Sequence, residues 1–167
     1  MDALDPYDLG YLQRLLDRSK RLAMVGASPN PSRPSWMVAR YMKTRGYDVL
    51  PVNPRAEGRT LAGMPFHPSL AEIPAEKDPI DMVVIFRKSE DAGAVVDEAM
   101  EALGARGLKT IWMQIGVRDE AAADRAKAAG YDVVMNRCPK MELSRFNGEL
   151  SFGGINTGVI SSKLRPV

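Results

Sequence analysis

A single cysteine, a single histidine and almost no net charge are the scarcities that first narrow what this chain of 167 residues can be. One thiol, Cys138, excludes an internal disulfide and suits a reducing compartment. One histidine, His67, far in sequence from that cysteine, offers no ligand cluster for a metal. The net charge is only +2, from 23 basic and 21 acidic residues, so the basic surplus that holds a nucleic-acid backbone is missing and no nucleic-acid partner is expected. No apolar run approaches the roughly 20 residues that cross a bilayer. The opening Met1-Asp2-Ala3-Leu4-Asp5-Pro6 carries acids where a signal peptide carries bases. A cytoplasmic protein without a membrane partner is therefore expected. A Walker-type phosphate loop is also missing, which argues against ATP hydrolysis.

What is present is an ordinary globular balance, 45% hydrophobic and 26% charged, in a length that fits one domain. Leu9, Leu12, Leu15 and Leu16 recur at helical spacing, so residues 1–20 read as an N-terminal helix packed on the domain. A domain over 21–143 and a polar, glycine-containing tail over 144–167 follow. Within the domain, short apolar runs at 21–26, 48–52, 81–86, 110–114 and 131–136 read as buried strands, although Pro51 weakens the second. Between them, helices are expected from Ser35 (as N-cap) to a stop at Gly46, over 89–103, and over 120–129. The 89–103 helix should turn Ala94, Val95, Ala99 and Met100 inward, and Trp36-Met37 should pack in the core. Residues 55–77 read as irregular, with one short helix near 69–72. Strands alternating with helices imply an α/β architecture: one Rossmann-like domain, a parallel sheet of five strands with room for a sixth, and helices on both faces.

In such sheets a ligand lies outside the carboxyl ends of the strands. There stand Gly26-Ala27-Ser28-Pro29, Val52-Asn53-Pro54, Phe86-Arg87-Lys88-Ser89, Met113-Gln114-Ile115-Gly116 and Asn136-Arg137-Cys138-Pro139-Lys140. Small residues after the first strand would let phosphates approach the backbone, and the next helix N-terminus would add its N–H groups. Arg33, Arg87 and Lys88 could add side-chain charge, unless Gly26 merely permits a turn and the bases are solvated. The Gly-x-Gly-x-x-Gly fingerprint is broken by Ser28 and Pro31. Asn53-Pro54-Arg55 replaces the carboxylate that holds an NAD ribose, which favours coenzyme A or NADP, both of which carry a ribose phosphate.

Five motifs in order then carry a specific resemblance. They are Val25-Gly26-Ala27-Ser28-Pro29-Asn30-Pro31-Ser32-Arg33-Pro34-Ser35; Gly46-Tyr47-Asp48-Val49-Leu50-Pro51-Val52-Asn53-Pro54; Val84-Ile85-Phe86-Arg87-Lys88-Ser89; Trp112-Met113-Gln114-Ile115-Gly116-Val117; and Asn136-Arg137-Cys138-Pro139-Lys140. Over roughly residues 10–145 the chain resembles the small CoA-binding protein family, which is similar to the CoA-binding domain of the succinyl-CoA synthetase α subunit. The resemblance implies coenzyme A laid across the strand ends. Gly26, Ala27, Ser28 and Pro29 would lie beside the phosphates, with Arg33 and Ser35 close by. Val52, Asn53 and Pro54 would face the adenosine, Phe86, Arg87 and Ser89 the opposite wall, and Gln114 and Ile115 the pantetheine.

No catalytic constellation accompanies this rim. The synthetase α subunit works through a phosphorylated histidine in an additional domain with no counterpart here. His67 stands in a loop between prolines with no orienting partner nearby in sequence. Cys138 follows Arg137, which could favour a thiolate, but reads better as a small packed residue closing the last strand. The expectation is non-catalytic binding of coenzyme A or acyl-CoA, as carrier, sensor or accessory module, with self-association left open. An NADP-dependent reductase and a ligand-sensing interaction module are the alternatives.

Overall fold

Residues 7–148 are described by a computed structural model. Helix α1 (Leu9–Arg18) is followed by β1 (Arg21–Val25), α2 (Pro34–Thr44) and β2 (Asp48–Val52). A small hairpin, β3 (Thr60–Leu61) and β4 (Met64–Pro65), precedes β5 (Met82–Ile85), α3 (Ser89–Leu103) and β6 (Thr110–Met113). Helix α4 (Glu120–Ala128), β7 (Asp132–Val134) and α5 (Pro139–Phe146) complete the described chain. Among the described residues no helix is long and apolar enough to cross a membrane.

The five longer strands form one parallel sheet in the order β2-β1-β5-β6-β7. Strand period two divides their side chains between two helical layers. Leu22, Met24, Val49, Met82, Val84, Trp112 and Val134 meet α1, α2 and α5. Ala23, Val25, Leu50, Val83, Ile85, Ile111, Met113 and Val133 meet α3 and α4. Both faces are covered by helices, which is why each strand reads as an unbroken apolar run. Each fully buried Leu, Ile or Met contributes roughly 1.5–3 kcal/mol of transfer free energy. Trp112, fully buried, gives its indole N–H a partner in the Arg137 carbonyl at 2.8 Å.

Pro51 is tolerated because of where β2 lies. It is an edge strand: Asp48 N–H reaches the Lys20 carbonyl and the Val52 carbonyl accepts from Gly26, so the alternate positions face away from β1. On that outer side Pro51 uses only its carbonyl, accepting the His67 N–H at 2.9 Å, and its missing donor interrupts no ladder.

Several elements differ from the sequence expectation. Among the described residues no sixth strand joins the sheet; β3 and β4 pair with each other, and His67 forms an isolated bridge to Val52. Residues 69–72 make a turn rather than a helix, closed by Glu72 N–H to the Ser69 carbonyl. Helix α5 crosses the expected boundary at 143/144 and buries Ser144, whose hydroxyl donates to Tyr41 Oη at 2.8 Å. The rest of the expected tail, 149–167, lies outside the described residues, as do residues 1–6. In α3 Val95 and Ala99 are buried and Met100 packs against the core as expected, whereas Ala94 is exposed and Ala92, Val96 and Leu103 complete the inward face. Met37 is 48% exposed, and Trp36 is only partly buried.

Candidate functional site at the carboxyl ends of the strands

The strand order changes direction between β1 and β5: β2 lies on one side of β1, and the chain returns to the other. The rim above that switch is the favoured ligand crevice in open parallel sheets. Here the two strand ends come very close. Gly26 has φ +84°, and a Cβ on it would stand 2.3 Å from the Phe86 carbonyl oxygen. The glycine is therefore required by the fold itself, where β1 meets β5, and it also lines the second of the two hollows described below.

The following loop is held by its own side chains. Ser28 N–H donates to Ser35 Oγ at 3.0 Å, Asn30 N–H to Ser28 Oγ at 3.1 Å, and Ser32 N–H to Asn30 Oδ1 at 3.0 Å. Arg33 N–H goes to the Asn30 carbonyl at 3.0 Å, and Pro29, Pro31 and Pro34 have no N–H at all. Ser35 is thus not the N-cap expected from sequence. Pro34 takes the first helical position, Arg33 is the cap residue without a side-chain bond, and the buried Ser35 hydroxyl fastens the loop instead. Trp36 and Met37 N–H both turn to the Arg33 carbonyl. Most of the backbone donors that sequence reasoning offered to phosphates are already engaged.

Charge at this rim comes from side chains. Two hollows flank the loop and share Ser28. One, about 550 Å3, is lined by Ser28, Pro29, Asn30, Pro31, Asn53, Arg55, Ala56 and Arg59. The other, about 360 Å3, lies over the β1–β5–β6 ends between Arg33, Pro34 and Ser35 on one side and Phe86, Arg87, Lys88, Gln114, Ile115 and Val117 on the other. Together the walls carry five basic residues and no acidic one, in a chain whose overall charge nearly cancels. Arg87 touches Asp91 at 3.8 Å, while Arg33, Arg55, Arg59 and Lys88 have no carboxylate partner among the described residues. Arg59 was missed by sequence reasoning; it follows the turn after β2 and carries no motif.

Some expected contact residues are spent on structure. Val52 is buried in the α3–α4 core. Asn53 donates through Nδ2 to the Ala27 carbonyl at 2.9 Å and accepts Arg55 N–H through Oδ1 at 2.9 Å, tying the ends of β1 and β2 together. Ala27 is fully buried and Pro54 is exposed. Ser89 Oγ accepts Arg118 N–H at 3.0 Å and donates to the Gly116 carbonyl at 3.4 Å, so it holds the loop after β6 rather than lining the hollow. Asn136, absent from the sequence-based set, does the same from the other side: at φ +60° its Oδ1 accepts Gly116 N–H at 2.7 Å. Asparagine tolerates that left-handed geometry better than most residues, a signal the sequence did carry.

This bracing presents Gln114 and Ile115. Gln114 is 7% exposed, lines the second hollow, and its Oε1 is buried without a hydrogen-bond partner. Ile115 beside it is 53% exposed. Cys138 is buried at the start of α5 among apolar side chains. His67 lies under the outer edge of β2, its pKa lowered chiefly by burial. A further hollow of about 440 Å3 sits at the amino ends of the strands, where Asp17, Lys20 and Arg45 mix both signs. Among the described residues no three His, Cys, Asp or Glu side chains gather as a metal site would require.

The family model described as a CoA binding domain matches residues 20–144. The uncharacterized protein YneT of Bacillus subtilis (strain 168) is 37% identical over 130 residues, spanning 78% of this chain and 90% of that protein. The fold matches that of a hypothetical protein from Pyrococcus horikoshii OT3, with 34% identity and a TM-score of 0.77 over 89% of this chain and 98% of that one. The dinucleotide-forming acetyl-coenzyme A synthetase 1 of Ca. Korarchaeum cryptofilum is similar over 73% of this chain and 26% of its own, with 27% identity and a TM-score of 0.56.

Proposed function

This chain belongs to the CoA-binding domain family, and from that premise we propose that it binds coenzyme A or an acyl-CoA at the carboxyl ends of its parallel strands without performing chemistry on it. The carrying observation is the pair of hollows astride the Ser28 loop, whose walls hold five cations and no carboxylate. That arrangement suits an elongated polyanion better than a neutral or cationic ligand. Its shape also matches a ligand of two halves joined by phosphates. The nucleotide half lies in the hollow of Arg55 and Arg59, the phosphates pass Ser28 near Arg33 and Lys88, and the arm enters the hollow over Gln114.

Binding without catalysis fits the groups at the rim. The hydroxyls of Ser28, Ser35 and Ser89 are all used to hold loops, and neither His67 nor Cys138 lines either hollow. A carrier, sensor or accessory role follows, in the cytoplasm and with a partner or a second copy as the downstream element.

Calorimetry of the purified protein with coenzyme A, dephospho-CoA, NADPH and NAD tests this reading. Micromolar affinity for coenzyme A, roughly −8 kcal/mol, with weaker dephospho-CoA and weak nicotinamide nucleotides, is the expected result. Silence with coenzyme A and a clear NADPH signal would replace the reading with the reductase alternative.

A further inference from the structure

The wall that carries Arg55 and Arg59 hangs on a residue that the proposed binding does not use. His67 lies parallel to the end of β2: its N–H donates to the Pro51 carbonyl at 2.9 Å and its carbonyl accepts the Asn53 N–H at 3.0 Å. One residue earlier, Phe66 N–H donates to the Arg59 carbonyl at 3.1 Å. Asn53 and Arg59 both line the nucleotide hollow, so their places depend on how residues 66 and 67 are seated. In that seat the His67 Nε2 is buried without a hydrogen-bond partner among the described residues. A neutral imidazole tolerates this, because its one proton can stay on Nδ1 and leave Nε2 a lone pair. An imidazolium carries a proton on both nitrogens, and the buried one becomes a charged donor with nothing to receive it.

The charges that act on the ring do not offset this. Lys77, from the turn over Ala75–Lys77, opposes protonation; Asp48, from β2, favours it but is already paired with Arg21 at 2.6 Å. The stretch from Gly63 to Ala71 around the histidine carries no charged residue. Burial first, then Lys77, outweigh Asp48 and keep the pKa below its ordinary value. We propose that His67 is a proton-operated latch on the Arg55–Arg59 wall. Neutral, it stays seated along β2 and fixes the wall. Protonated, its ring moves out to water, and residues 66 and 67 give up their bonds to Arg59, Pro51 and Asn53. The latch is a property of the chain alone; its effect on affinity rests on the coenzyme A reading above.

Hydrogen exchange followed by NMR at the Asn53, Phe66 and His67 amides tests the latch without ligand. From about pH 7.5 to about pH 5.5, where histidine is the side chain that ordinarily titrates, their protection should fall in wild type, after correction for the intrinsic rate, by at least about threefold. Protection at the β5 amides should hold, and His67→Gln should show no fall at either place. Constant protection in wild type, or an equal fall at β5, would overturn the latch, and this comparison stands even if the variant does not fold. The same fall in a folded variant would also overturn it.

Dephospho-CoA serves for the binding arm, because it lacks the phosphate monoester that itself titrates near a pKa of about 6. Its affinity should weaken toward the lower pH in wild type and not in His67→Gln. An affinity that ignores pH while the amides respond would overturn control of binding by the latch. Absence of binding by coenzyme A and dephospho-CoA at both pH values would overturn the coenzyme A reading instead, and exchange alone would then decide the latch.

Discussion

The side-chain amide of Asn53, at the end of β2, donates to the carbonyl of Ala27, in the loop after β1, at 2.9 Å. With Oδ1 capping Arg55 N–H, both ends of one side chain are engaged. Asn53→Asp keeps the acceptor but sets a carboxylate oxygen against a carbonyl oxygen. It should cost about 1–3 kcal/mol of stability and weaken coenzyme A binding, by repulsion of phosphate as well as by a loosened loop. Urea unfolding and calorimetry on the same preparation measure both, and an unchanged midpoint would contradict the bridging role.

Gly26→Ala tests the contact between β1 and β5. The left-handed φ and the 2.3 Å approach to the Phe86 carbonyl act together, so at least about 2 kcal/mol should be lost. The loss should appear without ligand, because it belongs to the fold. A variant as stable as wild type that failed only to bind would instead make Gly26 a ligand-contact residue.

Replacing Arg55 and Arg59 together by alanine should weaken coenzyme A more than dephospho-CoA, bringing the two affinities close together. Both arginines line the nucleotide hollow, and neither pairs with a carboxylate among the described residues. The wild-type affinity should also fall as salt rises, and fall less steeply in the double variant. Calorimetry at two ionic strengths is sufficient.

His67 gives stability a pH dependence. Burial is the main cause of its lowered pKa, Lys77 adds to it and Asp48 opposes it, and Nε2 is buried without a partner. A histidine that titrates lower when folded takes up its proton more readily in the unfolded chain. Stability from this group is therefore complete above about pH 6.5 and declines as pH falls from there toward the lowered folded value. In His67→Gln that slope should flatten. Denaturation midpoints from pH 7.5 down through this window, compared for the two proteins, check the sign.

Cys138 should be alkylated by iodoacetamide far more slowly than a free cysteine in the native protein, and at the free rate once unfolded. It is buried against the α1–α2–α5 layer. A native rate above that of free cysteine would restore the reactive-thiol reading.

The five sheet strands were legible because both faces of the sheet are covered, leaving apolar runs with no alternation to confuse. The hairpin of β3 and β4 was not. Each strand has two residues, and the turn is Ala62-Gly63 with φ of +49° and +85°, where the usual sequence signal is Asn-Gly or Asp-Gly. Helix α5 was hidden because it buries only four of its eight residues, Glu142 and Ser144 among them. At the rim, the strand-end motifs located the hollows, but residue type could not say which polar side chains remain available. Ser35, Asn53 and Ser89 look like ligand groups in sequence and are ties in space. Gln114 looks no different from them, and its buried Oε1 has no hydrogen-bond partner.

A loop stitched by Ser28, Asn30 and Ser35 before any ligand arrives has a kinetic consequence. Nothing there needs to fold over the ligand, so the conformational entropy of closing a lid does not oppose binding. If the proposed ligand binds there, association would be set by how quickly the four arginines and Lys88 of the two hollows draw in a polyanion, and residence by how well the hollows grip it. Fast capture with selection by dwell time would then be expected, as of a protein that samples its ligand pool repeatedly and holds on to one member of it.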